Sequence, residues 1–110
     1  MVEAKGVALL GSFYTTPTGP EVITKVNQGT VSANGIFIAR GGGVDVVTCN
    51  EGCEVTTTTL GMSATVTVEG VGVHRIGDMN ALHTYGPPDP DCLSHSTSLM
   101  TGSPTVFAGG

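Results

Sequence analysis

At 110 residues the chain is sized for one domain, and its core must be thin, because aromatic residues make up only 5% and tryptophan is absent. A net charge of −5 with four Lys and Arg in total leaves no basic patch, which excludes nucleic-acid binding and electrostatic attachment to anionic lipid. Gly, Thr and Val dominate, favouring short strands and tight turns over helices, while the hydrophobic content is too high for a disordered chain.

The chain opens on MVEAKGVALLGSF, whose apolar run is far shorter than a secretory signal, so the expectation is a protein made in the cytoplasm without a signal peptide. No stretch approaches the roughly eighteen apolar residues of a membrane helix. Within this opening, GVALLGS (6–12) reads as a short strand closing on a glycine, followed by the loop FYTTPTGPEVITKVNQG (13–29). Next come TVSANG (30–35) and IFIARGG (36–42), two apolar pieces around a Gly turn and hence a hairpin. A second loop, VDVVTCNEGCEVTTTTLGMSA (44–64), leads to TVTVEG (65–70) and VGVHRIGD (71–78), another hairpin. The third loop, MNALHTYGPPDPDCLSHSTSLMTGSP (79–104), leads to TVFAGG (105–110).

TVSANG, TVTVEG and TVFAGG all read T-V-x-[AV]-x-G; they begin at Thr30, Thr65 and Thr105, 35 and then 40 residues apart, and Arg40 and Arg75 repeat at the same interval of 35. The third unit stops after its first strand. GVALLGS, with Leu9 or Leu10 where the others carry Arg, is the missing second strand. The fold expected is therefore all-β: three hairpin repeats with pseudo-threefold symmetry forming a small tapered cone over residues 1–110, the third repeat shared between the N- and C-termini. The two ends should meet and pair, closing a ring without exposed edges. No helical period is sustained anywhere.

Five soft ligands fall in two loops: Cys49 and Cys53 in the second, His83, Cys92 and His95 in the third; the first has neither His nor Cys. If the loops converge at one end, these residues can supply the four Cys and His ligands of a tetrahedral zinc site. A tapered β end has little room for apolar burial, and a structural metal contributes roughly 10–16 kcal/mol of apparent binding free energy in its place. The plainer reading of Cys49 and Cys53 is a pair of buried side chains or a local disulfide, although an odd cysteine count argues against a disulfide framework. His74 lies inside a strand and reads as a packed, hydrogen-bonded histidine. Arg75 and Asp78 can pair across a turn, as a surface pair of little weight. A thiol hydrolase, or Glu51 acting as a base beside zinc, would need a concave pocket that a compact cone of hairpins does not offer, so the chain is read as no enzyme.

GVGVHRIGD (70–78), GSPTVFAGG (102–110), NGIFIARGG (34–42) and, more weakly, GVALLGS together resemble the PAAR-repeat family over most of the chain, with residues 13–28 the least typical. The resemblance implies a metal-stabilised sharp tip that caps the trimeric β-helical spike of a contractile injection machine, as in phage tails and type VI secretion, and helps to pierce the target membrane. It implies one metal per chain, zinc with iron as the alternative. Carried over motif by motif, DVVTC gives Cys49, the histidine soon after GD gives His83, and the histidine seven residues before GSPT gives His95. Cys92 is chosen as the fourth ligand, with Cys53 or His74 as substitutes. One chain would sit as a monomer on a trimer, in a virion tail or secretion apparatus. A PAAR-type adaptor carrying effector or toxin cargo is the alternative role. Two departures stand out: the first unit has RGGG in place of RxGD, and the N-terminal piece lacks its Arg.

Overall fold

A computed structural model describes residues 4–15, 21–49, 56–85 and 93–109, and of 83–85 and 93–95 it describes the backbone. The described residues are all-β, antiparallel and without helix. The strands are β1 (Lys5–Gly6), β2 (Glu21–Lys25), β3 (Ser32–Ala33), β4 (Ile36–Phe37), β5 (Val46–Cys49), β6 (Thr56–Thr58), β7 (Thr67–Val68), β8 (Val71–Gly72), β9 (His83–Tyr85), β10 (Leu93–His95) and β11 (Phe107–Ala108).

Three two-stranded pairs share one register. Ala33 faces Ile36 in β3–β4, Val68 faces Val71 in β7–β8, and Ala108 faces Lys5 in β1–β11. The ends of the chain therefore pair, as the repeat pattern requires. Asn34–Gly35 and Glu69–Gly70 turn with positive φ at both residues (55° and 79°, 50° and 83°), the two-residue geometry whose twist matches flanking strands. Glu69, at a φ that favours glycine or asparagine, is anchored there because its Oε2 accepts the Thr30 hydroxyl at 2.6 Å.

Beyond each hairpin the chain enters a cyclic set of bridges, Leu9 to Ile38, Arg40 to Val73 and Arg75 to Val7. Inside it runs a triangle of backbone hydrogen bonds: Ala8 N–H donates to His74 O, His74 N–H to Ala39 O, and Ala39 N–H to Ala8 O, at 2.7, 3.0 and 2.9 Å. Leu9, not Leu10, is thus the counterpart of Arg40 and Arg75. The threonine of T-V-x-[AV]-x-G also has a cause. Thr30 donates to Glu69, Thr65 to the Gly109 carbonyl, and Thr105 accepts from Asn34 Nδ2, so each turn is tied to the next unit's threonine.

The missing RxGD of the first unit is supplied two residues later. Ser12, Asp45 and Asp78 each accept, on a side-chain oxygen, the backbone N–H of Leu9, Arg40 and Arg75 respectively (3.0, 2.7 and 2.9 Å). The Arg75–Asp78 pair corrects the sequence expectation: it is buried, with 7% and 9% exposure, not a surface pair.

The described parts of the three long loops contain strands that the sequence reading did not expect, because VITK, VVTC and the threonine run alternate in strand fashion. Segment 13–15 bridges β2, β2 pairs with β5, β5 with β6, Thr59 bridges Asn80, Met79 bridges Ser98, and Leu99 returns to Tyr14, closing a second circuit of six antiparallel segments. One apolar cluster (Val7, Leu9, Ala33, Ile38, Val68, Val73, Ala108) fills the hairpin end; another (Ala8, Tyr14, Ile23, Ala39, Val47, Cys49, Leu99) fills the six-segment circuit.

Candidate metal centre

Segment directions alternate round the six-segment circuit, so the chain leaves it toward the same end after Thr15, Cys49 and Tyr85 and re-enters at Glu21, Thr56 and Leu93. Cys49 is the last described residue of β5; its side chain is buried in the apolar cluster that also holds Tyr14, Ile23 and Leu99. His83 and His95 are direct partners in the β9–β10 register. Directly opposed residues of an antiparallel pair have Cα atoms about 4.5–5.5 Å apart, a separation at which two imidazoles can share one ion. Cys92, Cys53 and Glu51 lie outside the described residues. Among the described residues no three His, Cys, Asp or Glu side chains gather as a metal cage. One buried thiol at a strand end and two opposed histidines nevertheless suit the N/S donor chemistry of zinc.

His74 stands apart from that end. Fully buried in the hydrogen-bonded triangle where the other two units have Ala8 and Ala39, it uses both ring nitrogens: Nδ1–H donates to the Gly61 carbonyl at 2.5 Å and Nε2 accepts from the Tyr14 hydroxyl at 2.7 Å. The carbonyl can only accept, which fixes this neutral tautomer. Burial lowers the His74 pKa below 6.5, outweighing the Gly61 hydrogen bond and the Asp78 and Asp45 charges that pull upward, while Arg75 adds to the lowering. Burial, with Glu21, Asp78 and Asp45 charges nearby, raises the pKa of Tyr14, so the phenol keeps its proton for His74.

A pH dependence follows. In the unfolded chain His74 takes up a proton below about pH 6.5, and in the fold it resists doing so. Its contribution to stability is present above that pH and is lost as pH falls through the depressed folded value, at up to about 1.4 kcal/mol per pH unit. Urea melts at pH 7.5 and 5 should therefore show a shallower loss in His74→Gln than in the wild type; equal slopes would contradict the assignment.

The sequence reading missed Glu21. It opens β2 directly opposite Cys49 and is fully buried. Its Oε1 accepts from Asn80 Nδ2 at 2.7 Å and from the Thr97 hydroxyl at 2.6 Å, while Asn80 Oδ1 accepts the Thr97 N–H at 2.9 Å. The signal was the strand period: Glu21 lies two residues before the core residue Ile23, on the same face.

Comparison with known proteins matches the chain to no family model, no curated protein and no solved structure.

Proposed function

We propose that this chain is a PAAR-type spike tip: a tapered cone of three hairpin repeats with pseudo-threefold symmetry, its apex held by one zinc ion (or iron) on Cys49, His83, Cys92 and His95, with Cys53 as the substitute ligand. One copy caps the trimeric β-helical spike of a contractile injection machine, in a phage tail or secretion apparatus, and opens the membrane mechanically, without catalysis. Among the described residues no helix is long and apolar enough to cross a membrane.

The observation that carries this function is the cyclic pairing of three equivalent hairpins, closed by the two ends of one chain. Such a chain presents nearly the same surface three times, as a threefold spike end requires of a single cap. Val31, Val66 and Val106 occupy equivalent positions at the hairpin end and are 38, 39 and 37% exposed, giving three matched apolar contacts. The metal would be held by the Cys and His residues at the opposite end and would replace apolar burial there as a cross-link between strands.

The test is co-expression with the trimeric spike protein of the same genome. The expected complex holds one chain per trimer and is lost in the triple variant Val31→Glu, Val66→Glu, Val106→Glu. No complex, or three chains per trimer, would contradict the assignment.

One observation favours the adaptor role. Phe13, Leu60, Met79 and Met100 lie exposed on neighbouring segments of one flank, where the first unit instead has the exposed Lys25 and half-buried Val46. A partner gripping only this flank would break the threefold pattern, and its loss in Met100→Lys, with spike capping retained, would identify it as cargo.

A further inference from the structure

Loop one brings no histidine or cysteine to the end where the proposed ligands meet, yet it delivers a fully buried carboxylate there. We infer that Glu21 is a positioning residue and counter-charge for the metal centre: it fixes the roots of the ligand-bearing strands and supplies the negative charge that favours a divalent cation beside Cys49. The inference rests on the metal-tip function proposed above.

The geometry ties Glu21 to three of the four proposed ligands, Cys49, His83 and His95. Its backbone opposes Cys49 in the β2–β5 register. Its Oε1 receives hydrogen bonds from Asn80, three residues before His83, and from Thr97, two residues after His95. The Thr97 N–H closes on Asn80 Oδ1, so the two arms of the histidine hairpin are clamped to each other and to the carboxylate. A single side chain from loop one thus holds the base of the hairpin in which His83 faces His95. Mutation of outer residues that orient metal ligands typically costs about 10–100-fold in metal affinity.

Charge gives the carboxylate a second task. Keeping an ionised carboxylate away from water is costly. A divalent cation held nearby lowers that cost, and by reciprocity the carboxylate raises the affinity for the cation. A neutral glutamine of the same shape could keep both hydrogen bonds through its own Oε1 but would carry no charge.

The experiment is zinc binding to wild-type protein, Glu21→Gln and Thr97→Val by competition with a chromophoric chelator, together with melting of each protein with and without chelator. Glu21→Gln is expected to bind zinc about 10-fold more weakly or worse. Its metal-free form should lose less stability than its zinc-loaded form, because the carboxylate charge favours the cation only when the cation is bound. The gap between chelated and zinc-loaded melting temperatures therefore narrows. Thr97→Val, which keeps the charge and loses the hydroxyl's hydrogen bonds to Glu21 and from Asn80, should show a smaller affinity loss, and it carries the test if Glu21→Gln fails to fold. Zinc affinity of Glu21→Gln within about twofold of wild type, or melting that drops equally with and without chelator, overturns the inference and leaves the metal tip standing. A wild type that takes up no zinc removes the metal tip itself, and this inference with it.

Discussion

Chelation of the purified protein is expected to release one zinc per chain and to lower its melting temperature by about 40 °C or more. Structural zinc contributes roughly 10–16 kcal/mol of apparent binding free energy, and each kcal/mol is worth about 4–8 °C in a domain this small. The loss should concentrate at the end where β5, β9 and β10 lead out of the six-segment circuit, since the hairpin end has its own apolar cluster and backbone triangle. Cys49→Ala and His95→Ala should reproduce the loss without chelator. Plasma mass spectrometry is the check: about one metal per chain surviving in both variants would remove those residues from the site. An absence of metal with undiminished stability would leave the hairpin ring without a metal apex, and a Cys49–Cys53 disulfide would then be the next linkage to seek.

The second large effect comes from Arg75. Its Nε and one terminal nitrogen donate to both oxygens of Asp78 at 3.0 and 3.1 Å, and the pair is buried. Arg75→Met leaves a buried carboxylate without its cation and should cost about 3–5 kcal/mol. Arg40 is its counterpart in sequence but not in chemistry. Its acid, Asp45, is engaged by the backbone N–H groups of Arg40 and Asn27; among the described residues the Arg40 guanidinium reaches only the Val68 and Asn27 carbonyls, at 3.3 and 3.2 Å, and its buried Nε meets no hydrogen-bond acceptor. Arg40→Met gives up two long hydrogen bonds but also relieves that unsatisfied donor, and should stay within about 2 kcal/mol of wild type. Urea denaturation of the two variants side by side decides the matter; equal losses would mean that the guanidiniums are interchangeable.

The hairpins were legible because their cause is local. A T-V-x-[AV]-x-G run states its own strand and turn, and three copies state their own equivalence. The junction of the chain's two ends could be read for the same reason, since each end holds half of a unit whose complete form appears twice elsewhere. What escaped was set by contacts across loops. VITK and VVTC read as loop because Pro and Gly interrupt the sequence around them, but antiparallel partners on both sides of VVTC make it a strand. Asp45 was overlooked because two extra glycines displace it from the motif, although its carboxylate caps the same backbone position as Asp78. Arg75–Asp78 was expected at the surface because charge alone does not reveal burial. Of the candidate site, the sequence names Cys49, His83 and His95, while the link from Glu21 to Asn80 and Thr97 depends on pairing between distant strands.

The pairing of Lys5–Gly6 with Phe107–Ala108 has a consequence for how the molecule comes into being. During synthesis the hairpins around Asn34–Gly35 and Glu69–Gly70 can form as soon as each emerges, since their partners lie a few residues apart. The third hairpin must wait for the far end of the chain, and until then Val7 and Leu9 lack one wall of their apolar cluster. A contact that spans nearly the whole chain is the slowest kind to make. The β1–β11 contact is thus made only after Phe107–Ala108 has been synthesised, so this pairing is timed by translation whereas β3–β4 and β7–β8 are not.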